Sequence, residues 1–191
     1  MARKAVDQEL SRNRIMEVAR DLFATQGYRD VSMRYIGQEL GYSHGSLYYH
    51  FKDKAELFCA LVAQDYVLLN KMLTDGLTEP PEDGMTRLEM IMLKFIQFGL
   101  DYPHHYEIMF LISDSDLKKY SEPEQKLLYD RFSALVWEAS GSTCDQTNNY
   151  AFYLFLSLHG FITYHVHSGS NFGDIGPSAK EHVKFLCRGL S

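Results

Sequence analysis

Hydrophobic positions along this chain recur at helical spacing. Ile15, Ala19, Leu22 and Phe23 follow an i, i+4, i+7, i+8 pattern, which predicts a helix over about 7–26 that Gly27 stops. In MRYIGQELGYSHGSLYYHF (33–51), Ile36 and Leu40 lie one turn apart, Gly41 interrupts, and Leu47 and Phe51 resume the i, i+4 step. Ser32 and Ser43 stand just ahead of these two segments, where a hydroxyl can accept from unpaired backbone N–H groups. Gly41 can take the left-handed conformation that ends a helix. Start, stop and periodicity agree on two short helices joined by a tight turn, which with the first helix make a three-helix head.

Beyond the head, Asp53 and Glu56 have capping-box spacing for a long helix reaching about residue 75, with Phe58, Leu61, Val62, Leu69, Met72 and Leu73 inward. Two prolines and three acids in 79–84 mark a linker. Leu88, Ile91, Phe95, Phe98 and Tyr102 form the stripe of a helix ending near Pro103, which opens another carrying Tyr106, Met109, Phe110 and Ile112. The polar stretch 113–120 reads as a loop. Ser121 and Glu124 then suggest a capped start with Pro123 in the first turn, followed by Leu128, Phe132, Leu135, Val136 and Ala139.

The segment 145–168 is apolar or aromatic nearly all round. Phe152, Leu156, His159 and Thr163 share one face, and Leu154, Leu158, Phe161 and His165 the other. A helix with two apolar faces needs two partners. One is its own core and the other, most simply, the same helix of a second subunit about a two-fold axis. Gly160 permits close helix approach there. A glycine-rich loop is expected over 168–176, and Ser178 with Glu181 would cap a last helix carrying Val183, Leu186 and Leu190. The expected dimer interface is therefore Phe152, Leu156, His159, Gly160, Thr163, Val183 and Leu186. With no alternating run long enough for a strand, the class is all-α with about nine helices: a helix-turn-helix head over 1–54 and an effector-binding and dimerisation body over 55–191.

Charge sharpens this division. Residues 1–54 hold nine Lys/Arg against seven acids, a net of +2, which leaves −8 for the rest of a 191-residue chain whose total is −6. A mildly basic head on an acidic body suits an oriented contact with nucleic acid. Cys59, Cys144 and Cys187 are odd in number and widely spaced, which suggests neither a disulfide framework nor a zinc site and fits a reducing cytoplasm. The start of the chain carries no apolar run of the signal-peptide kind. Although 146–173 lacks Asp, Glu, Lys and Arg, its Asn, Ser, Thr and His residues break the apolar run of about 20 that a bilayer span requires, so no membrane partner is expected.

The second helix of the turn carries Ser43, His44, Gly45, Ser46, Tyr48, Tyr49 and His50 on its outward side. A helix present for packing alone would more usually show Glu, Lys and Ala there. Small residues allow close approach to bases and phosphates, hydroxyls and imidazole offer hydrogen bonds, and tyrosine adds an O–H and a ring. His44, Gly45 and Ser46 are expected at base edges, with Ser32, Tyr48, Tyr49, His50 and Lys54 mostly at phosphates. A polar helix end with two tyrosines covering a small core is the alternative reading.

The residues 12–23, Gly27-Tyr28, Val31-Ser32-Met33, Ile36-Gly37, Gly41-Tyr42-Ser43 and Gly45-Ser46-Leu47-Tyr48-Tyr49-His50-Phe51-Lys52-Asp53-Lys54 together resemble the N-terminal domain of the TetR family of bacterial transcriptional regulators. The match spans roughly the first 60 residues; Tyr35 stands where alanine is common and Tyr42 where valine is common. The stretch 150–161 is similar, more weakly, to a region of one group of TetR regulatory domains. The resemblance implies a homodimer with two recognition helices in successive major grooves, about 34 Å apart on a near-palindromic operator. It also implies a body whose small-molecule effector weakens operator binding and so releases a repressor.

Phe95, Phe98, Tyr102, Tyr106, Met109, Phe110, Phe132, Trp137 and Tyr153 are the candidate lining for a small hydrophobic or aromatic effector. For each of them ordinary core packing is the competing account. His165 and His167 diverge on a helix, so no metal is expected. No G-x-S-x-G, phosphate-cradling glycine loop or H-E-x-x-H occurs, so no catalytic residues and no cofactor are expected. Two rival readings remain: a constitutive DNA-binding protein without effector, and a small-molecule-binding protein or enzyme whose head is only structural.

Overall fold

A computed structural model describes residues 10–82, 84–112, 115–140, 149–166 and 168–188, the side chains of 115–122 excepted. Among the described residues there are nine α-helices and no strand. They are α1 (Arg12–Gln26), α2 (Met33–Leu40), α3 (His44–Leu47), α4 (Lys54–Thr78), α5 (Arg87–Asp101), α6 (Pro103–Tyr106), α7 (Ser115–Ala139), α8 (Tyr150–Val166) and α9 (Phe172–Arg188). A π-helical turn over Glu107–Leu111 continues α6.

Two compact units emerge. The first takes Met1–Asp65 and His104–Glu124, the second Tyr66–Pro103 and Gln125–Ser191. These units follow packing and do not coincide with the functional division expected after residue 54. The first half of α4 shares the head's core through Leu57, Phe58 and Leu61, all fully buried, and the π turn adds Ile108 to the same core. Each such side chain contributes roughly 1.5–3 kcal/mol by leaving water. By length and composition α4 could cross a bilayer, but its Leu57, Phe58, Leu61, Val62, Leu69 and Leu73 are buried inside the protein.

Within the first unit, α1 begins at a Ser11 cap and ends where Gly27, at φ 85°, returns its N–H to the Phe23 carbonyl. The region 1–9, including the first residues of the helix expected from 7, lies outside the described residues. Asp65 of α4 is fully buried and receives Arg20 of α1, itself 5% exposed, and His105 Nδ1 at 2.9 Å. His104 Nδ1 meets Asp21 of α1 at 3.0 Å. The segment opened by Pro103 thus meets α1 and α4 through these two rings as well as through Ile108.

The second unit is built around α5, which packs against α8 and α9. A reciprocal Thr86/Glu89 capping box starts α5, and Met90, Ile91, Met92, Phe95, Ile96 and Phe98 are all buried. A Cβ on Gly99 would lie 2.4 Å from Ile162 Cγ2, so the approach of α5 to α8 depends on that glycine. Arg131 of α7 donates to Asn70 Oδ1 (3.3 Å) and Thr74 Oγ1 (3.4 Å), tying α7 to the second half of α4.

Two expected loops are helical in part. Helix α7 starts at Ser115 and carries Pro123 inside it, so 115–120 is not a loop and Ser121 is not its cap. Polarity there signalled exposure, while Leu117, Lys118 and Lys119 are good helix formers. Helix α9 starts at Phe172, not after Ser178. Asp174 N donates to Asn171 Oδ1 (3.2 Å) and Asn171 N to Asp174 Oδ2 (3.1 Å), a capping pair that precedes the Ser178/Glu181 spacing. The region 141–148, where the α8 helix was expected to begin, lies outside the described residues.

Candidate nucleic-acid interface

Helices α2 and α3 meet at the turn that the sequence anticipates. Ser32 caps α2 by accepting from Tyr35 N (3.1 Å), and Gly41, at φ 77°, closes it in the left-handed conformation. Ser43 caps α3, accepting from Ser46 N at 3.3 Å, and its hydroxyl lies 2.8 Å from that of Ser46. A Cβ on Gly37 would fall 3.2 Å from both the Tyr42 carbonyl oxygen and the His44 nitrogen. The glycine inside α2 therefore lets the turn pass close over it, which a glycine on the inward face of a short helix could have signalled.

Only four residues of α3 are α-helical; 48–50 continue as a turn whose His50 and Phe51 N–H groups both reach the Leu47 carbonyl (2.9 and 3.0 Å). Leu47 and Phe51 are buried in the head's core, as their spacing demanded. Ser43, His44, Gly45 and Tyr48 are exposed on the other side, with Ser46 and His50 half-buried beside them and Tyr49 at 92% exposure. The rings of His44 and Tyr48 stand edge to face, centroids 6.2 Å apart. The result is a small polar and aromatic surface with no acidic side chain from 40 to 52.

Lys54 is placed differently from expectation. Its ammonium donates to the carbonyls of Tyr28 (2.7 Å) and Val31 (2.8 Å) and sits 4.0 Å above the Tyr28 ring. It closes the α1–α2 loop onto the start of α4, so its charge is turned into the head and not held out for a phosphate. Asp53 and Glu56 do cap α4: Glu56 N donates to Asp53 Oδ1 and Lys52 N to Glu56 Oε2, both at 2.7 Å. Arg12, the first residue of α1, donates to the His50 carbonyl and lies over the Phe51 ring.

The effector candidates fall in both units. Phe95, Phe98 and Phe132 are fully buried in the second unit, whereas Tyr106 and Met109 are buried in the first, where Phe110 is half-buried. Tyr102 is 37% exposed, Trp137 43% and Tyr153 65%, which places these three at the surface of the second unit. Helical periodicity cannot tell which unit an aromatic stripe will join. Phe155, which the stripe reading passed over, packs with Phe95 and Phe132 at centroid distances of 5.5 and 5.9 Å.

On α8, Leu154, Leu158, Ile162 and Val166 are buried, while Phe152, Leu156, Gly160 and Thr163 are exposed and His159 is half-buried. A Cβ on Gly160 would meet nothing within 4 Å. Phe185 of α9, 70% exposed, adds to the apolar surface of this unit. Val183 is fully buried in its own unit and so is no part of that surface, and Leu186 is half-buried. Burial lowers the pKa of His159, and that of His182 as well, against a smaller opposing effect of Ser157. Burial raises the Cys187 thiol to about 11, with Glu89 adding to it, which leaves it protonated at neutral pH. Among the described residues no group of three or more His, Cys, Asp or Glu is placed to hold a metal ion.

A capped two-helix turn on a shared core, with a polar and aromatic outer side, defines the helix-turn-helix class. Residues 15–61 match the family model for bacterial regulatory proteins, tetR family. An HTH-type transcriptional regulator from Staphylococcus aureus (strain USA300) is 32% identical over 103 residues, covering 54% of this chain and 44% of that protein. The chain thus spans about half the length of the curated relatives it matches. Among solved structures, the fatty acid degradation regulator FadR from Bacillus halodurans superposes with a TM-score of 0.77 at 16% identity, over 96% of this chain and 98% of that one. FadR from Bacillus subtilis, solved in complex with stearoyl-CoA, gives 0.75 at 16% identity, over 92% and 97%. PfmR from Thermus thermophilus, a TetR family regulator, gives 0.73 at 18%, over 96% and 99%. The tetR-family match thus covers the helix-turn-helix part of the chain, and the low identities to these structures speak to fold alone.

Proposed function

We propose that the protein is a homodimeric, cytoplasmic transcriptional regulator that binds a two-fold DNA operator and is released from it, as a repressor, by a small hydrophobic effector. The observation that carries the DNA-binding reading is the side of α3 and its turn formed by Ser43, His44, Gly45, Ser46, Tyr48, Tyr49 and His50, left outside by a core that holds Leu47 and Phe51. Base edges are the role of His44, Gly45 and Ser46, and phosphates that of Ser32, Tyr48, Tyr49 and His50. Lys54 is assigned to loop closure instead.

Dimerisation is assigned to the exposed side of α8, at Phe152, Leu156, Gly160 and Thr163 with His159 at its edge, together with Leu186 and Phe185 of α9. A hydrophobic effector is supported by the aromatic content of the body and by the stearoyl-CoA held by the Bacillus subtilis FadR structure. Effector and operator then weaken each other, typically by about 1–3 kcal/mol.

Footprinting of purified protein on the DNA upstream of its own gene, at several salt concentrations, tests this. Protection of a two-fold site whose affinity falls steeply with salt is expected, with stearoyl-CoA weakening it. Binding of equal, weak affinity to any DNA would refute the operator. A specific site untouched by hydrophobic acyl thioesters and aromatic acids would leave a constitutive DNA-binding protein, the second reading.

A further inference from the structure

We propose that Arg12 is a positioning residue for the DNA-reading surface, clamping the end of the α3 turn in place without itself touching nucleic acid. The inference rests on the DNA-binding reading above. A helix of four residues lies far below the length at which backbone hydrogen bonds sustain it. Its orientation therefore comes from what holds its two ends and its underside. Ser43 secures the first end, and Leu47 and Phe51 the underside.

The far end is secured by Arg12, the first residue of α1. Its Nη1 donates to the His50 carbonyl, its guanidinium carbon lies 4.0 Å over the centre of the Phe51 ring, and its Nη2 stands 3.6 Å from Glu56 Oε1. The other Glu56 oxygen accepts from Lys52 N. One planar cation so joins the carbonyl that ends the turn, the ring that anchors the turn in the core, and the carboxylate that starts α4. With both side chains nearly half exposed, the ion pair to Glu56 adds little by itself. The stack on Phe51 and the bond to His50 carry the effect, and a cation is favoured where backbone carbonyls point outward. Making the bond and the stack from one planar group, with a second nitrogen turned to Glu56, uses the fork of the guanidinium, which lysine does not have.

The alternative for Arg12 is a phosphate contact, and the two roles separate in one experiment. A duplex selected by the wild-type protein from a random-sequence library is titrated with wild type, Arg12→Lys and Arg12→Met over a range of salt, and amide exchange of the free proteins is followed at Tyr49, His50 and Phe51. Clamping predicts that both variants keep wild-type helix content, bind the selected duplex about tenfold more weakly, and discriminate less against random DNA. It also predicts an unchanged slope of log affinity on log salt and faster exchange at the three amides. A lysine variant with wild-type affinity, beside a methionine variant whose slope falls by about 0.9, would assign Arg12 to a phosphate and overturn the proposal. Unchanged exchange in both variants would overturn it as well. Should the wild type select no duplex, the DNA-binding reading fails by itself, and the exchange data alone decide the clamp in either direction.

Discussion

Two neighbours in the turn show how differently adjacent residues are employed. Leu47 is fully buried among the head's apolar side chains, while Tyr49 is 92% exposed. Leu47→Ala is expected to cost about 2–5 kcal/mol of unfolding free energy, the usual range for an aliphatic core truncation. Tyr49→Ala should change stability by less than about 0.5 kcal/mol, as surface substitutions do, yet weaken binding to a selected duplex severalfold. Chemical denaturation and DNA titration of both variants check the pair; a strongly destabilised Tyr49→Ala would show that the ring packs and does not read. Periodicity distinguishes these two positions. It is silent on Arg20, which reads as one charge among many but is buried against Asp65, with His105 on the same carboxylate. Nothing in the spacing of 20, 65 and 105 announces that meeting.

At the scale of elements, starts and stops governed by local chemistry were legible. Ser32, Ser43 and Gly41 act as their residue types suggest, because a cap needs only neighbours within three or four positions. The beginnings of α7 and α9 were not, since each sequence offers a second cap-like spacing, Ser121/Glu124 and Ser178/Glu181, inside a helix that starts earlier. Helix α8 illustrates the same division. That it has two apolar sides follows from composition. Which residues face its own unit follows from Gly99 letting Ile162 in, and Val183 is spent in that core. Leu156→Glu, on the exposed side, is accordingly expected to convert the proposed dimer to monomer in sedimentation at micromolar concentration without loss of helix content. A charged Leu156 that leaves the dimer intact would remove α8 from the interface.

For the whole molecule, the half-buried histidines of the body set a direction for stability with pH. Burial lowers the pKa of His159 and of His182, so the folded protein prefers both rings neutral. An unfolded histidine takes up its proton near pH 6.5. Stability from these groups is therefore complete above about pH 6.5 and is lost as pH falls through the lowered folded-state values. Thermal unfolding at pH 7.5 and pH 5.5 should show the loss, and His182→Gln should reduce it; an unaltered pH dependence in that variant would exclude His182 as a contributor. By itself the sequence determined the helical class, the capped turn and which side of α3 is exposed, because each depends on side-chain type within a few residues. Only the tertiary structure decided that Lys54 closes a loop, that Arg12 reaches the end of α3, and that the aromatic residues divide between two units. Those outcomes join residues far apart in the chain, where spacing carries no information and three-dimensional packing alone selects the partners.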